Sequence, residues 1–403
     1  MVSIDEALEK IYTTVTQKGH EIIPIEASLN RIVAEAYYAS FDLPRFDNSA
    51  MDGYAVKVED ANRIVTIKEI TYAGDTAQEA FESGEVVKIM TGAPIPIGCE
   101  AIVPIENVTS TPQGIRLPEK IQKNMMIRYR GEDIKKGTIF LRPNEKITAY
   151  TLARLASQGV SHIKVYRQPK VVIFSTGEEL KAHYEQIQPH QLYNSNAPMF
   201  YARAQELGAD VSYLNISGDS LEALQEAIKQ AMDADLILTS GGVSVGDKDF
   251  TIEAFKNAGM EVLFSKVNIK PGKPTTFGKL GRGFVINLPG NPLAAMVNFE
   301  MFVKPTLLKL SGSKSFYHAT ITTQVQKDHP IKVGKYSVIL GRWDGSYFKP
   351  IENQKPGMVS PLDQADGMVV TYPTTEKLSR DNNIKMIPIK LAFWSEKRED
   401  FYN

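Results

Sequence analysis

The sequence predicts a multidomain chain of α/β and β units: a doubly wound α/β domain, an inserted β domain, an elongated mixed domain and a C-terminal barrel-like β domain. Three observations predict it. At 403 residues the chain is too long for one hydrophobic core, and about two to four domains are expected for that length. Residues 169–312 alternate strand-like and helix-like stretches, as a parallel sheet covered on both faces requires. In 45–142 and 316–395, short β-rich runs lie between Gly and Pro turns instead.

In chain order, Ser3 and Glu6 form an S-x-x-E capping box, with Ile4, Leu8 and Ile11 on one helical face. A strand over 21–25 and a second helix up to residue 40 follow. Strands are predicted over 65–72, 85–90, 101–108 and 114–117. Thr148 is the expected N-cap of the next helix, Leu152, Leu155 and Val160 its apolar face, and Gly159 its stop. The first domain is then built from both flanks of the insertion: 1–44 with 143–168, around 45–142. In 169–312, strands are expected over 171–174, 211–216, 236–238, 262–267 and 284–288. Helices are expected over 198–207, 220–232, 250–258 and 293–310. Residues 316–395, with strands over 319–325, 336–340, 347–350, 367–371 and 384–389, read as a small antiparallel barrel or sandwich. The tail SEKREDFYN is polar and expected to be loose.

Composition excludes several function classes. Hydrophobic residues make up 43% and charged residues 23%, as in soluble globular proteins. A net charge of −1 offers no general field for nucleic acid or anionic membrane, so anions must bind at local clusters. The single cysteine, Cys99, rules out an internal disulfide and a Cys-based zinc or iron–sulfur site. The six histidines lack HExxH spacing. No run approaches the ~18 apolar residues of a membrane span. The start MVSIDEALEK lacks a signal peptide's basic and apolar regions, so a cytoplasmic protein beginning here is expected.

Three strand ends in the α/β region carry loops rich in glycine and small hydroxyls. They are Ser175-Thr176-Gly177-Glu178-Glu179, the run 239–247 with Ser240, Gly241, Gly242, Ser244 and Gly246, and Pro289-Gly290-Asn291-Pro292. Glycines let backbone N–H groups converge on an anion. Asn291 suits an N-cap and Pro292 the first helical position, which aims a helix dipole above the sheet. Gly-rich turns are common singly; three at strand ends of one domain favour a phosphorylated ligand.

Lys266, Lys270 and Lys273 crowd the next segment. On a continuous strand Lys266 and Lys270 would share a face. Edge-strand protection explains such lysines alone; beside the glycine loops they form a cationic cup for an oxyanion. Glu179, Asp219, Asp247 and Asp249 lie near the same loops, and Mg²⁺ reconciles carboxylates with phosphates. Asp219 and Asp249 serve equally well as helix caps. The inserted region adds polar loops around Pro44-Arg45-Phe46, Asp52, Thr91 and Asp133, which read by themselves as turns satisfying their own backbone.

Seven motifs in order, FDNSAMDGYAV, IMTGAPIP, RGEDIKKG, FSTGEEL, SGGVSVGDKDF, KPGKPTTFG and LPGNPLAAM, make the chain resemble the MoeA family of molybdenum insertases and the related C-terminal domain of gephyrin. The resemblance covers nearly the whole chain. It implies four domains, with the α/β domain binding molybdopterin, and a homodimer whose cleft pairs that domain with the inserted β domain of the other copy. It implies a reaction in which molybdate enters adenylylated molybdopterin and AMP leaves, with Mg²⁺ as cofactor and the molybdopterin adenylyltransferase as a functional partner.

Matched motif by motif, the resemblance implies catalytic roles for Asp52, Thr91, Asp133 and Glu179, and Mg²⁺ ligands in Glu179, Asp219 and Asp249. Lys266 and Lys270 would bind phosphate or molybdate. Arg342 and Ser360 are further candidates in the C-terminal domain, where PGMVSPL matches only loosely. Arg45 stands where the family commonly has proline. The dithiolene sulfurs of the pterin supply soft metal ligands, so no cysteine cluster is needed. Other classes stay open at this level: a non-catalytic gephyrin-like scaffold, or a molybdopterin adenylyltransferase. A nucleotide-binding dehydrogenase is disfavoured, because no GxGxxG follows a strand.

Overall fold

A computed structural model describes residues 1–76, 80–177, 179–214, 221–241 and 250–390. The first helix, Ile4–Thr14, is closed by its capping box: Ser3 Oγ accepts from the Glu6 N–H at 3.1 Å, and Glu6 Oε2 from the Ser3 N–H at 2.7 Å. Its buried face, Ile4, Ala7 and Ile11, joins the core of the α/β unit. The second expected helix does not form. After the His20–Pro24 strand there is one turn, Ile25–Ala27. Beyond it Ile32 and Val33 bridge to Lys146 and Val165, and Tyr37–Tyr38 pairs with Ile139–Leu141. Long-range pairing outweighs the weak helical preference of this segment. His20–Pro24 pairs antiparallel with His162–Tyr166. Helix Ala149–Ser157, capped by Thr148 through the Thr151 N–H at 3.2 Å, packs Leu155 into the same small core.

Between these flanks lies a six-stranded sheet in the order Ala101–Pro104, Gly53–Val56, Glu85–Ile89, Ile64–Thr71, Gly114–Arg116, Thr109–Thr111. The expected strand over 101–108 ends at Pro104, which cannot donate to a ladder, and the chain turns through Ile105–Asn107.

The α/β sheet has the order Asp210–Tyr213, Lys170–Ser175, Leu236–Ser240, Gly283–Leu288, Thr276–Leu280, Glu261–Ser265. The first four strands are parallel, with Ser175 opposite Ser240 and Ser240 opposite Leu288. The sheet is mixed rather than wholly parallel: Thr276–Leu280 runs antiparallel to both neighbours. It turns straight into Gly283 through two residues, a connection only antiparallel strands permit. Leu236, Leu238, Ile286 and Leu288 face helix Asn196–Glu206 and the helical stretch over 292–310. Ile237 and Val285 face helices Leu221–Gln230 and Phe250–Asn257. The long helix expected over 293–310 contains a wide five-residue turn, Phe299–Val303, between Pro292–Asn298 and Lys304–Leu310.

In the C-terminal region Tyr336–Trp343, Tyr347–Pro350, Ile321–Val325, Asn383–Pro388 and Gly367–Thr371 close into a five-stranded barrel, the last strand pairing back onto the first. One pairing, Ile321–Val325 with Tyr347–Pro350, is parallel, and a short helix, Ser360–Gln364, interrupts the expected all-β pattern. Ile269–Lys270 adds to the barrel's Tyr336–Trp343 strand, so the lysine segment joins it to the α/β unit. The polar tail lies outside the described residues. No described helix is long and apolar enough to cross a membrane.

Candidate functional site

Parallel register brings the three loops together. The Thr176 N–H donates to Ser240 O at 3.1 Å, and the Gly241 N–H to Leu288 O at 3.3 Å. Gly241 has φ +92°, and a Cβ there would lie 2.6 Å from Thr176 O, so only glycine lets the first two loops touch. Asn196 ties the second to the third: its Nδ2 donates to Ser240 Oγ at 2.7 Å and to Gly290 O at 2.8 Å.

Above this rim opens a cleft of about 600 Å³. Of the residues nominated from sequence, Thr176, Glu179, Ser240, Gly241, Pro289, Gly290 and Asn291 line it. Ser175 and Gly177 flank Thr176 at the strand end. The buried atoms Ser175 Oγ, Thr176 Oγ1 and Asn196 Oδ1 have no hydrogen-bond partner among the described residues. Burying an unmet polar group is costly, and two of these three residues, Thr176 and Asn196, line the cleft. The Glu179 carboxylate folds over Gly177, where a Cβ would come within 2.8 Å of its Oε1.

Asn291 occupies the N-cap position before Pro292, but its side chain makes no capping bond, contrary to expectation. Gly357 faces its Oδ1 instead, and Leu293 N–H donates to Pro356 O at 3.0 Å. The C-terminal region thus closes one side of the cleft through Gly357 and Val359. Ser360 is exposed and opens the adjacent helix. Arg342 is exposed on the barrel and donates to Gln364 Oε1 at 3.3 Å. Neither lines the cleft.

None of the three lysines lines it. The strand Glu261–Ser265 stops before Lys266, which takes φ +63°, so Lys266 and Lys270 do not share one strand face. Lys266, Lys270 and Lys273 are all exposed, and Pro274 between them and the sheet lines the cleft. Gly242, Ser244, Gly246, Asp219, Asp247 and Asp249 lie outside the described residues.

Asp52 and Thr91 meet elsewhere, in the inserted unit, and Asp133 lies on a loop that packs against theirs. Asn48–Ser49 pairs with Ile127–Arg128, and the Gly92 N–H donates to Ser49 O at 2.8 Å, so the three polar loops of the inserted unit meet. Asp52 Oδ1 accepts from both the N–H and the hydroxyl of Thr91. These bonds, the backbone one first, hold its carboxyl below the usual carboxylate range. Asp133 is exposed in a loop that Asp42 pins by accepting from Arg130 Nε at 2.6 Å and the Lys136 N–H at 2.8 Å. Within one chain this cluster adds no lining residue to the cleft.

Sequence reading missed Tyr193, Asn194 and Asn196, which line the cleft from the helix entry. A signal existed: Asn194-Ser195-Asn196 is a capping run, and Asn194 Oδ1 does accept from the Ala197 N–H at 3.1 Å.

Comparison with known proteins agrees with this architecture. Residues 2–159 match the MoeA N-terminal region, domains I and II, and 172–309 match the probable molybdopterin binding domain. A molybdopterin molybdenumtransferase of Haemophilus influenzae is 39% identical over 323 residues, 78% of this chain and 79% of that protein. One from Staphylococcus aureus strain COL is 34% identical over 336 residues, 81% of this chain and 80% of that protein. The crystal structure of a molybdopterin biosynthesis MoeA protein from Pyrococcus horikoshii OT3 superposes with a TM-score of 0.84 at 25% identity, covering 96% of this chain and 100% of that one. The chain belongs to the molybdopterin molybdenumtransferase (MoeA) family.

Proposed function

We propose that this chain inserts molybdate into adenylylated molybdopterin, forming molybdenum cofactor and releasing AMP. One observation carries the reading: three amide-rich strand ends, with unpartnered buried polar atoms, converge on a cleft of about 600 Å³. That volume suits a nucleotide-sized ligand. Backbone N–H groups of Gly177, Gly290 and Asn291 hold the phosphates, beside Thr176 and Gly241, whose own N–H groups donate to Ser240 O and Leu288 O. Lys266, Lys270 and Lys273 neutralise phosphate or molybdate. Arg342 and Ser360 extend this binding surface on the C-terminal side.

The donor chemistry fits Mg²⁺. The Glu179 carboxylate, exposed at the cleft, is a hard oxygen donor, and Mg²⁺ commonly takes one or two carboxylates plus substrate phosphates. Among the described residues no group of three or more acidic, histidine or cysteine side chains gathers, and Asp219 and Asp249 would complete the set. Bound there, Mg²⁺ stabilises the charge developing on the departing AMP. Asp52, kept ionised by Thr91, orients water or metal rather than taking a proton near neutral pH, and Asp133, exposed on a neighbouring loop, does the same.

The inserted unit acts on the cleft of a second copy in a cytoplasmic homodimer. The domain division is 1–44 with 143–168, 45–142, 169–312 and 316–395. A molybdopterin adenylyltransferase supplies the substrate.

Presenting either ATP with molybdopterin or adenylylated molybdopterin with molybdate tests the reading. AMP should form from the second mixture, with no adenylylation in the first. The reverse pattern would assign the chain to adenylyl transfer.

A further inference from the structure

Asn298 sits on the helix that opens at the cleft and is 0% exposed, as is Thr275 across from it. Its amide spans two elements. Nδ2 donates to Ala294 O at 2.7 Å, within its own helix, and to Pro271 O at 3.3 Å, in the lysine loop. Oδ1 accepts from Thr275 Oγ1 at 2.9 Å, and that hydroxyl also lies 3.0 Å from Gly272 O. Gly272, at φ +110°, lies flat on the same amide: a Cβ there would come within 1.6 Å of Asn298 Nδ2. The loop is tied across its own base, with the Val267 N–H donating to Lys273 O at 2.9 Å and the Lys266 N–H to Thr275 O at 3.0 Å. The lysine segment is thus held on one side by pairing of Ile269–Lys270 with the barrel strand, and on the other, from Pro271 to Thr275, by one buried asparagine.

We propose that Asn298 is a positioning residue, which clamps the 270–275 loop onto the helix opening at Asn291 and so fixes where Lys270 and Lys273 present their charge to an oxyanion. The inference rests on the function proposed above. The clamp needs a side chain that donates and accepts at once. Leucine does neither, and aspartate keeps only the acceptor side. A loosened loop leaves the ammonium groups in place chemically but spreads them over many positions, which weakens anion binding more than turnover.

The test combines amide hydrogen exchange with kinetics. In Asn298→Leu, exchange over 266–275 should quicken about tenfold or more, with the Gly283–Leu288 strand unchanged. KM for molybdate should rise about tenfold, with kcat within about twofold. Gly272→Ala, which displaces the same amide from the other side, should reproduce both changes, and so should Asn298→Asp, whose second oxygen faces the Ala294 and Pro271 carbonyls. In a Lys270→Ala, Lys273→Ala background, Asn298→Leu should add nothing to KM. Unchanged loop exchange overturns the clamp. An equal rise of KM in that doubly substituted background overturns its action through Lys270 and Lys273. If the unmodified chain releases no AMP, the proposed function fails instead. Loop exchange and calorimetric titration with sodium molybdate then still decide the clamp: tighter binding to the unmodified chain than to Asn298→Leu supports it, and equal affinity overturns it. Should Asn298→Leu not fold, Gly272→Ala and Asn298→Asp carry the comparison.

Discussion

Asp52 Oδ1 accepts two hydrogen bonds from Thr91, one from its N–H and one from its hydroxyl, each 2.7 Å long. Both bonds favour the charged form. With the folded value depressed, the stabilising contribution is present above the ordinary carboxylate value and is lost as pH falls through the depressed one. Thr91→Val removes the hydroxyl bond and keeps the backbone bond. Carboxyl NMR titration should then place Asp52 higher than in the unmodified chain, though still below an ordinary carboxylate. An unchanged titration would show that the hydroxyl bond does not form in solution.

Asn196 holds two strand-end loops with one amide. Asn196→Ala leaves Ser240 Oγ and Gly290 O without that donor and should cost about 1–3 kcal/mol, read by urea denaturation. AMP release should fall more steeply than stability at a denaturant-free temperature, because the loops no longer hold their mutual spacing. Loss of stability with full AMP release would make the tie purely structural.

Glu179 is exposed at the cleft and packs into no core. Glu179→Gln should leave the unfolding midpoint within about 0.5 kcal/mol of the parent, as at other surface sites. The Mg²⁺ concentration for half-maximal AMP release should rise about tenfold or more, in keeping with loss of one hard ligand. An unchanged Mg²⁺ requirement would remove Glu179 from the metal's ligands.

Glu300, 1% exposed in the wide helical turn, accepts from Arg203 Nε at 2.6 Å and from Lys304 Nζ at 3.2 Å. Arg203 also donates to Ile389 O at 3.1 Å, tying the α/β unit to the end of the barrel. Glu300→Ala leaves two cations facing a buried site, and urea denaturation should register a loss of about 3–5 kcal/mol. A loss below about 1 kcal/mol would mean that water or a neighbouring acid takes its place.

Much of this was legible from local pattern. Alternation of strand and helix located the α/β unit, and Ser3, Glu6 and Thr148 announced their helix starts, because these signals act over three or four residues. The glycine loops were legible for the same reason. What escaped was set by distant partners. Residues 32–38 became extended because Lys146, Val165 and 139–141 were there to pair with. Lys266 left its strand because the loop closes on Thr275. Asn298 looked like one more helical residue; its meaning depends on Gly272, which lies 26 positions earlier and is visible only once folded. The bond between Asp52 and Thr91 likewise needed the fold to bring their loops together.

The most direct measurement is a crystal structure of the chain soaked with adenylylated molybdopterin. Density for the phosphates should lie against the amides of Gly290 and Asn291 and beside Thr176 and Gly241, inside the cleft those residues line. Density for the nucleotide at any other surface, with that cleft filled only by solvent, would contradict the assignment of the three strand ends as the grip on the substrate.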